Sequence, residues 1–299
     1  MRVGVEIAQG WKDEYAGWEA AAAWQRTVEL ARHAEALGFE SLWVADHLHT
    51  RTVAPDGITF ESFLTLAGLA PVTRTVRLGH IVVCAGYRNP ALVAKMAATL
   101  DVISGGRYEL GLGAGWKEDE WRAYGYGFPP LADRLAGLEE ALEIVTRMLR
   151  PGRAEYEGRQ WRIDGPINEP RGLQSPRIPV IVGGNGRLVT RRLAARFADE
   201  LNLFHFTPDA LREELALTRQ RCEEQGRDPA SLRVSMFWDE RNHLLGRQER
   251  VDQLAAYAEL GLDRLIAFPC LHGTGPEPQE QFADDCRAAG IVMAATAAV

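Results

Sequence analysis

A repeated alternation of short apolar runs with amphipathic helical patterns constrains the fold of this chain more than any other feature. The run at 78–84 is almost wholly apolar, as expected of a strand that is buried on both faces. In one helical pattern Leu135, Leu138, Leu142 and Val145 recur three or four residues apart, which places them on one helix face. Eight runs can be counted, at 3–8, 41–45, 78–84, 108–112, 179–182, 200–204, 233–238 and 264–268.

A helical pattern follows each run, and this order predicts the fold class. Strands that alternate with helices form parallel sheets. Eight units in one chain favour a closed (β/α)8 barrel, the α/β TIM barrel, over the alternative of an open doubly wound sheet. The segment 151–176 has four prolines and a hairpin-like stretch, and we interpret it as an insertion after strand four. No composition break marks a boundary, so 1–299 is predicted to be a single domain.

Charge and cysteine content disfavour several classes of function. A formal net charge of -7 argues against nucleic acid as the main partner, because phosphate binding needs a basic face. The four cysteines include no CxxC pair, which supports free thiols rather than a metal site or a disulfide framework. The chain shows no signal-peptide pattern and no apolar run of about 18 residues. We therefore expect a cytoplasmic protein that does not bind a membrane.

Barrel enzymes build their active sites from residues that follow the C-terminal ends of the strands. The second predicted strand is followed by Asp46 and His47. A histidine titrates near neutral pH and a neighbouring carboxylate can orient it, so this pair is a candidate for proton transfer. The structural alternative is that Asp46 caps the next turn and that His47 packs on the rim of the barrel.

Two glycine-rich segments also follow strands. Glycine lets a planar ring or a phosphate approach the backbone closely, and free N–H groups at the start of a helix attract anions. The alternative for both segments is an ordinary tight turn. Their residues are Gly113, Ala114 and Gly115 after strand four, and Gly183, Gly184, Asn185 and Gly186 after strand five.

Other residues near strand ends are weaker candidates. Cys84 ends an apolar strand and is interpreted as a packed residue rather than a nucleophile. Trp238, His243 and His272 follow the last two strands, where each would line a pocket or simply be packed or exposed. The charged run at 117–120 is interpreted as the solvated start of a helix.

Taken together, these segments resemble the luciferase-like monooxygenase superfamily, and within it the branch that depends on the deazaflavin coenzyme F420. Each motif is weak alone, but their joint order and spacing are specific and cover nearly the whole chain. The segments that carry the resemblance are 38–47 (GFESLWVADH), 87–91 (YRNPA), 100–107 (LDVISGGR), 110–116 (LGLGAGW), 124–125 (YG), Arg134 and 182–184 (VGG).

The resemblance implies a TIM barrel with an insertion after strand four, a homodimer, and a cofactor that lies across the strand ends. It implies that Asp46 and His47 sit beside the reactive ring. A non-proline cis peptide bond at about Ile81 and Val82 would support the face of that ring. The glycine-rich segment after strand four would border the ring, and the one after strand five would bind the phosphate of the cofactor.

The activity implied by the resemblance is hydride transfer between coenzyme F420 and a small-molecule organic substrate. His47 would donate or accept a proton, and Asp46 would hold the ring or the histidine. An FMN-dependent monooxygenase and a non-catalytic flavin-binding protein stay open as alternatives. The chain departs from the family at Trp116. The sugar-phosphate dehydrogenases of this family carry a catalytic acid at that position. This departure suggests a more apolar or aromatic substrate, and Glu118 could replace the acid only if its loop folds back.

Overall fold

The computed structural model describes residues 1–239, 241, 244–269 and 274–294, whose strands form a closed parallel barrel. The barrel strands are β1 (Arg2–Glu6), β2 (Ser41–Val44), β3 (Arg77–His80) with β4 (Val83–Cys84), β5 (Tyr108–Gly113), β8 (Val180–Gly183), β9 (Glu200–Phe204), β10 (Arg233–Trp238) and β11 (Arg264–Ala267). Because β1 pairs with β11 and β3 pairs with β5, the described sheet closes on itself. The predicted (β/α)8 barrel is therefore confirmed.

Helices surround the barrel in the order that the sequence predicts. They are α1 (Ala20–Leu37), α2 (Ser62–Leu69), α3 (Pro90–Ile103), α4 (Glu118–Ala123), α5 (Leu131–Met148), α6 (Val189–Phe197), α7 (Pro208–Glu224), α8 (Arg247–Glu259) and α9 (Glu277–Ala288). Helix α3 begins at Pro90 because the Asn89 side chain accepts the Ala91 N–H at 2.8 Å. Helix α1 ends where Gly38 adopts a φ of 89°. Within the described ranges, no helix is long and apolar enough to span a membrane.

The sequence predicts the third barrel strand as one continuous run, but the structure divides it into two parts. It consists of β3 and β4, which are separated at a cis peptide bond between Ile81 and Val82. The cis bond itself is confirmed at the position that the family resemblance implied. Val82 lies beside Gly113 and Gly183, at the C-terminal ends of β5 and β8.

The segment 151–176 is an insertion after the fourth barrel strand, as predicted. It carries the antiparallel hairpin of β6 (Glu155–Glu157) and β7 (Arg162–Asp164). The Glu140 carboxylate of α5 accepts the N–H groups of residues 159–161 at the hairpin turn, at 2.9–3.1 Å. Asp101 of α3 accepts the Leu173 N–H at 2.6 Å. Both acids fasten the insertion to the outer helices.

A buried ion cluster fills the N-terminal end of the barrel. The Arg264 guanidinium is fully buried and lies 2.7 Å from Glu109 Oε2, 3.1 Å from Glu200 Oε1 and 3.3 Å from Glu40 Oε1. Arg77 also pairs with Glu109. Burial by itself raises the pKa of Glu109, but the two arginines outweigh it and lower that pKa to about 2. Paired charges thus occupy the interior of the barrel at this end.

Acid should weaken this cluster, and substitution of Glu109 alone should reveal how much the cluster contributes to stability. In the folded protein Glu109 stays ionised down to about pH 2, whereas in the unfolded chain it protonates near pH 4.5. The stabilisation that Glu109 provides is therefore complete above about pH 5 and is lost as the pH falls towards 2. We expect Glu109→Gln to lower the free energy of unfolding by about 3 kcal/mol at neutral pH. This difference should shrink towards zero at low pH in urea titrations of both proteins.

The control is Glu118→Gln, which removes an exposed partner of Arg122. It should change the free energy of unfolding by less than about 1 kcal/mol at every pH. If the free energy of unfolding of Glu109→Gln stays below that of wild type by a constant amount from neutral to acidic pH, the ionised Glu109 does not stabilise the cluster.

Candidate active site

The C-terminal ends of the barrel strands surround one opening, which we call the barrel mouth. His47 follows β2, Gly113 ends β5 and Gly183 ends β8. Ile81 and Val82 lie between the two halves of the third strand at the same level. Because all barrel strands are parallel, the residues that the sequence singled out converge on this mouth.

The Asp46 carboxylate is buried and both of its oxygens are occupied. Oδ1 accepts the Ser62 hydroxyl at 2.7 Å and Arg88 Nη2 at 2.9 Å, and Oδ2 accepts the Cys84 N–H at 2.9 Å and Arg88 Nη1 at 2.7 Å. Burial raises the pKa of Asp46, but Arg88 and Ser62 outweigh it and keep that pKa below its usual value. The hypothesis that Asp46 holds His47 is therefore wrong, because its oxygens bind other groups. Its predicted contact with the cofactor ring and its catalytic role stay predictions.

His47 is held on three sides by other residues. Its Nδ1 lies 3.1 Å from Oε1 and 3.0 Å from Oε2 of Glu120. The Trp11 ring stacks on the imidazole at a centroid distance of 4.0 Å, and the Trp116 ring meets its edge at 5.6 Å. Among the described residues, none makes a hydrogen bond with Nε2. Nε2 is thus the ring nitrogen that is left for a ligand.

Glu120 is a site residue that sequence reasoning missed. Its side chain is fully buried. Besides His47, Oε1 accepts the Leu48 N–H at 3.1 Å and Oε2 accepts the Tyr87 hydroxyl at 3.1 Å. Burial raises the pKa of Glu120, but its bonds with His47 and the Leu48 N–H outweigh this and hold the pKa below its ordinary value. The residue therefore faces His47 as a carboxylate.

The run at 117–120 starts a helix as predicted, but it is not simply solvated. Glu118 is exposed and pairs with Arg122 at 2.7 Å, so it does not replace the acid that is absent at Trp116. Glu120 and the next residue, Trp121, are both buried. That tryptophan, within an otherwise charged helix, is the one sequence signal that could have identified a buried face here.

The first strand supplies a second polar pair that the sequence did not reveal. Glu6 ends β1, and its carboxylate accepts Trp11 Nε1 at 2.8 Å and Lys12 Nζ at 2.8 Å. The Lys12 ammonium lies 3.6 Å from the centroid of the Phe268 ring. Since Trp11 stacks on His47, Glu6 fixes one wall of the histidine site.

The glycines of β5 and β8 make room for Val82. A Cβ atom at Gly113 would lie 2.6 Å from Val82 Cγ2, and one at Gly111 or at Gly183 would lie 2.8 Å from Val82 Cγ1. Side chains at these positions would displace the valine from the mouth. The glycines thus serve close packing inside the protein, and their predicted contact with a cofactor stays a prediction.

Residues just beyond β5 approach the cysteine at the end of β4. Ala114 is half-buried against the core. Gly115 has a φ of 77°, which favours glycine, and a Cβ atom at this position would lie 2.5 Å from Cys84 Sγ. Burial raises the pKa of the Cys84 thiol to about 12, which agrees with a packed residue rather than a nucleophile.

The segment after β8 leads into the start of α6. The Asn185 side chain donates to the Phe204 carbonyl and accepts the Phe204 N–H, both at 2.7 Å, which ties this loop to the end of β9. Gly184 has a φ of 134°, and a Cβ at Gly186 would collide with Thr190. No side chain of the described residues caps α6. Its first N–H groups are therefore suited to an anion.

One further candidate, Trp238, does not line the mouth. Trp238 is fully buried and packs edge-on against Tyr257 in the core, because its strand turns that side chain towards the outer helices. His243 and His272 lie outside the described residues.

A cleft of about 420 Å³ lies at the N-terminal end of the barrel, far from the mouth. Arg177 and Arg227 are among its lining residues. Arg177 pairs with Asp199 at 2.6 Å, and Arg227 donates to three carbonyls at the end of α6 at 2.7–3.2 Å. These donors hold the fold together, so the mouth remains the site with chemistry.

Comparison with known families agrees with this geometry. The sequence model described as luciferase-like monooxygenase matches residues 6–238. The chain belongs to this family. An F420-dependent glucose-6-phosphate dehydrogenase of Intrasporangium calvum is 34% identical over 185 residues, which cover 58% of this chain and 53% of the relative. The aligned part thus spans about half of that relative.

This luciferase-like protein is also similar to a monooxygenase and to a second F420-dependent enzyme. The pyrimidine monooxygenase RutA of Escherichia coli is 31% identical over 187 residues, covering 59% of this chain and 46% of the relative. An F420-dependent secondary alcohol dehydrogenase, solved with an F420–acetone adduct, superposes with a TM-score of 0.79 at 18% identity, covering 96% and 98% of the two chains. The luciferase-like barrel is thus shared along its length, and the protein is an enzyme.

The fit between Val82 and the glycines can be tested by adding one methyl group. We expect Gly113→Ala to lower the free energy of unfolding by about 1–3 kcal/mol, because the new Cβ overpacks against Val82. Val82→Ala should relieve the clash in the double variant, which a double-mutant cycle in urea would detect. Gly246→Ala is the control, since nothing lies within 4 Å of its added Cβ. Additive effects of Gly113→Ala and Val82→Ala would contradict the contact.

Proposed function

We propose that this enzyme transfers a hydride between coenzyme F420 and a small organic substrate at the barrel mouth. The observation that carries the proposal is the His47 ring, whose Nδ1 faces Glu120 while Nε2 is left for a ligand. Hydride transfer at a C–O group needs a residue that exchanges a proton with the oxygen. Similarity to an F420-dependent dehydrogenase supports the choice of cofactor.

The described residues of the mouth fit a planar ring that carries a phosphate. Ile81 and Val82 would support the face of the ring, residues 113–115 would lie along it, and residues 183–186 with the uncapped start of α6 would hold the phosphate. When bound, the deazaflavin supplies the hydride chemistry, and the protein supplies orientation and a proton.

His47 would manage the proton in both directions. With an alcohol, the neutral ring takes the hydroxyl proton at Nε2 while the hydride leaves the carbon, so that a carbonyl forms. With a carbonyl, the imidazolium returns that proton to the oxygen. The stacked Trp11 restricts rotation of the ring in both cases and keeps water from one face.

The alternative with specific support is an FMN-dependent monooxygenase. The similarity to a pyrimidine monooxygenase favours it, and the tryptophans beside His47 would help to exclude water from an oxygen-reactive site. F420 and FMN have similar ring outlines, so the same mouth would accept either ring. The two functions differ in whether oxygen is consumed.

Titration of the purified protein with oxidised F420 and with FMN tests the proposal first. We expect micromolar or tighter binding of F420 and at least tenfold weaker binding of FMN. His47→Ala should then lower kcat by about 100-fold or more on a panel of small alcohols, because the proton acceptor is lost. The F420 Kd should stay within about threefold of wild type.

The histidine control is His33→Ala, which removes a partner of Glu280 from the outer helices and should leave kcat unchanged. Selective FMN binding with oxygen consumption would replace the proposal with the monooxygenase. Equal losses of kcat and of F420 affinity in His47→Ala would reduce His47 to a binding residue.

The substrate should carry an aromatic or otherwise apolar group next to the reacting carbon. The Trp116 side chain is 66% exposed although its ring touches the edge of His47, and such exposed aromatic surface inside a site is suited to ligand contact.

We expect Trp116→Ala to raise the KM of an alcohol that bears an aromatic ring by about tenfold, since stacking area is lost. Trp116→Phe, which keeps a ring, should change that KM less than threefold. The KM of an aliphatic alcohol and the F420 Kd serve as internal references. A uniform rise for both alcohols would assign Trp116 to general packing.

A further inference from the structure

The contacts of Glu120 give it a role beyond fastening a loop. We propose that Glu120 is a positioning residue that fixes the tautomer of His47, so that Nε2 of the neutral ring presents a lone pair to the substrate. The link to turnover rests on the function proposed above. The tautomer itself is a property of the protein without any cofactor.

The geometry of the pair determines where the ring hydrogen lies. Nδ1 of His47 is almost equidistant from the two Glu120 oxygens, at 3.1 and 3.0 Å. The Glu120 side chain is 1% exposed and that of His47 is 11% exposed, so water competes little for this bond. An ionised carboxylate can only accept hydrogen bonds, and Nδ1 must therefore carry the hydrogen.

Two donors hold the carboxylate independently of the histidine. The Leu48 N–H binds Oε1 and the Tyr87 hydroxyl binds Oε2, each at 3.1 Å. The acceptor is therefore already oriented when the ring docks against it. Trp11, stacked 4.0 Å from the ring, opposes a flip of His47 that would exchange its nitrogens.

Other acids near the mouth are engaged elsewhere. Asp46 accepts from Ser62, the Cys84 N–H and Arg88. Glu118 and Asp119 pair with neighbours on their own helix turn. Within the part of the chain that the structure describes, Glu120 is thus the acid that reaches His47.

The charge of Glu120 also matters once Nε2 has taken a proton. The imidazolium then lies 3.0 Å from a buried carboxylate, and opposite charges stabilise each other strongly where water is excluded. A glutamine at this position keeps the size of the side chain but loses the charge. Its amide can also donate to Nδ1, so it no longer imposes one tautomer.

The test compares Glu120→Gln with Glu118→Gln in the full chain, by 15N NMR of the histidines and by kinetics. We expect Nδ1–H in wild type and in Glu118→Gln, at a pH where the ring is neutral, with His47→Ala identifying the signal. Glu120→Gln should populate the Nε2–H tautomer and lower kcat about 100-fold or more, whereas the F420 Kd stays within threefold. Its kcat should also depend differently on pH.

Several outcomes would overturn the proposal. An Nε2–H tautomer in the wild-type protein does so directly, even if Glu120→Gln fails to fold. A folded Glu120→Gln protein that keeps Nδ1–H, or that keeps kcat within threefold, does so as well. Tyr87→Phe, which leaves the carboxylate in place, should keep the tautomer. If wild type shows no F420-dependent turnover, the proposed function fails, while the NMR result still decides the role of Glu120.

Discussion

The buried carboxylate of Asp46 is the interaction on which the geometry of the mouth depends. It joins the end of β2 to Ser62 at the start of α2, to the Cys84 N–H of β4 and to Arg88 before α3. Four hydrogen bonds compensate for its burial, and loss of any partner would leave a buried charge poorly paired. Because His47 is the next residue, this network also determines where the imidazole stands.

The site around His47 is assembled from segments that are distant in sequence. Glu120 comes from the helix after β5, and Trp11 comes from the loop after β1, where Glu6 holds its indole. No single motif contains these partners. Parallel strands that share one C-terminal end bring them together, which is why a barrel can build an acid–base pair from separate loops.

Stability and chemistry are separated along the barrel axis. At the N-terminal end, the two terminal nitrogens of the buried Arg264 guanidinium pair with Glu40, Glu109 and Glu200. At the C-terminal end, His47 keeps one nitrogen for a ligand. The insertion at 151–176 is fastened to the outer helices α3 and α5.

The sequence by itself determined the barrel, the insertion after strand four and the strand-end position of His47. These features follow from local periodicity and from the rule that the C-terminal ends of parallel barrel strands lie at the same end of the barrel. Neither the periodicity nor the rule depends on a particular long-range contact. The family resemblance added the cis bond at Ile81 and Val82. Only the tertiary structure decided which acid holds His47, because a hydrogen bond between residues 73 positions apart leaves no pattern in the sequence. The glycines show the same limit, since Gly113 is required by the packing of Val82, which comes from another strand.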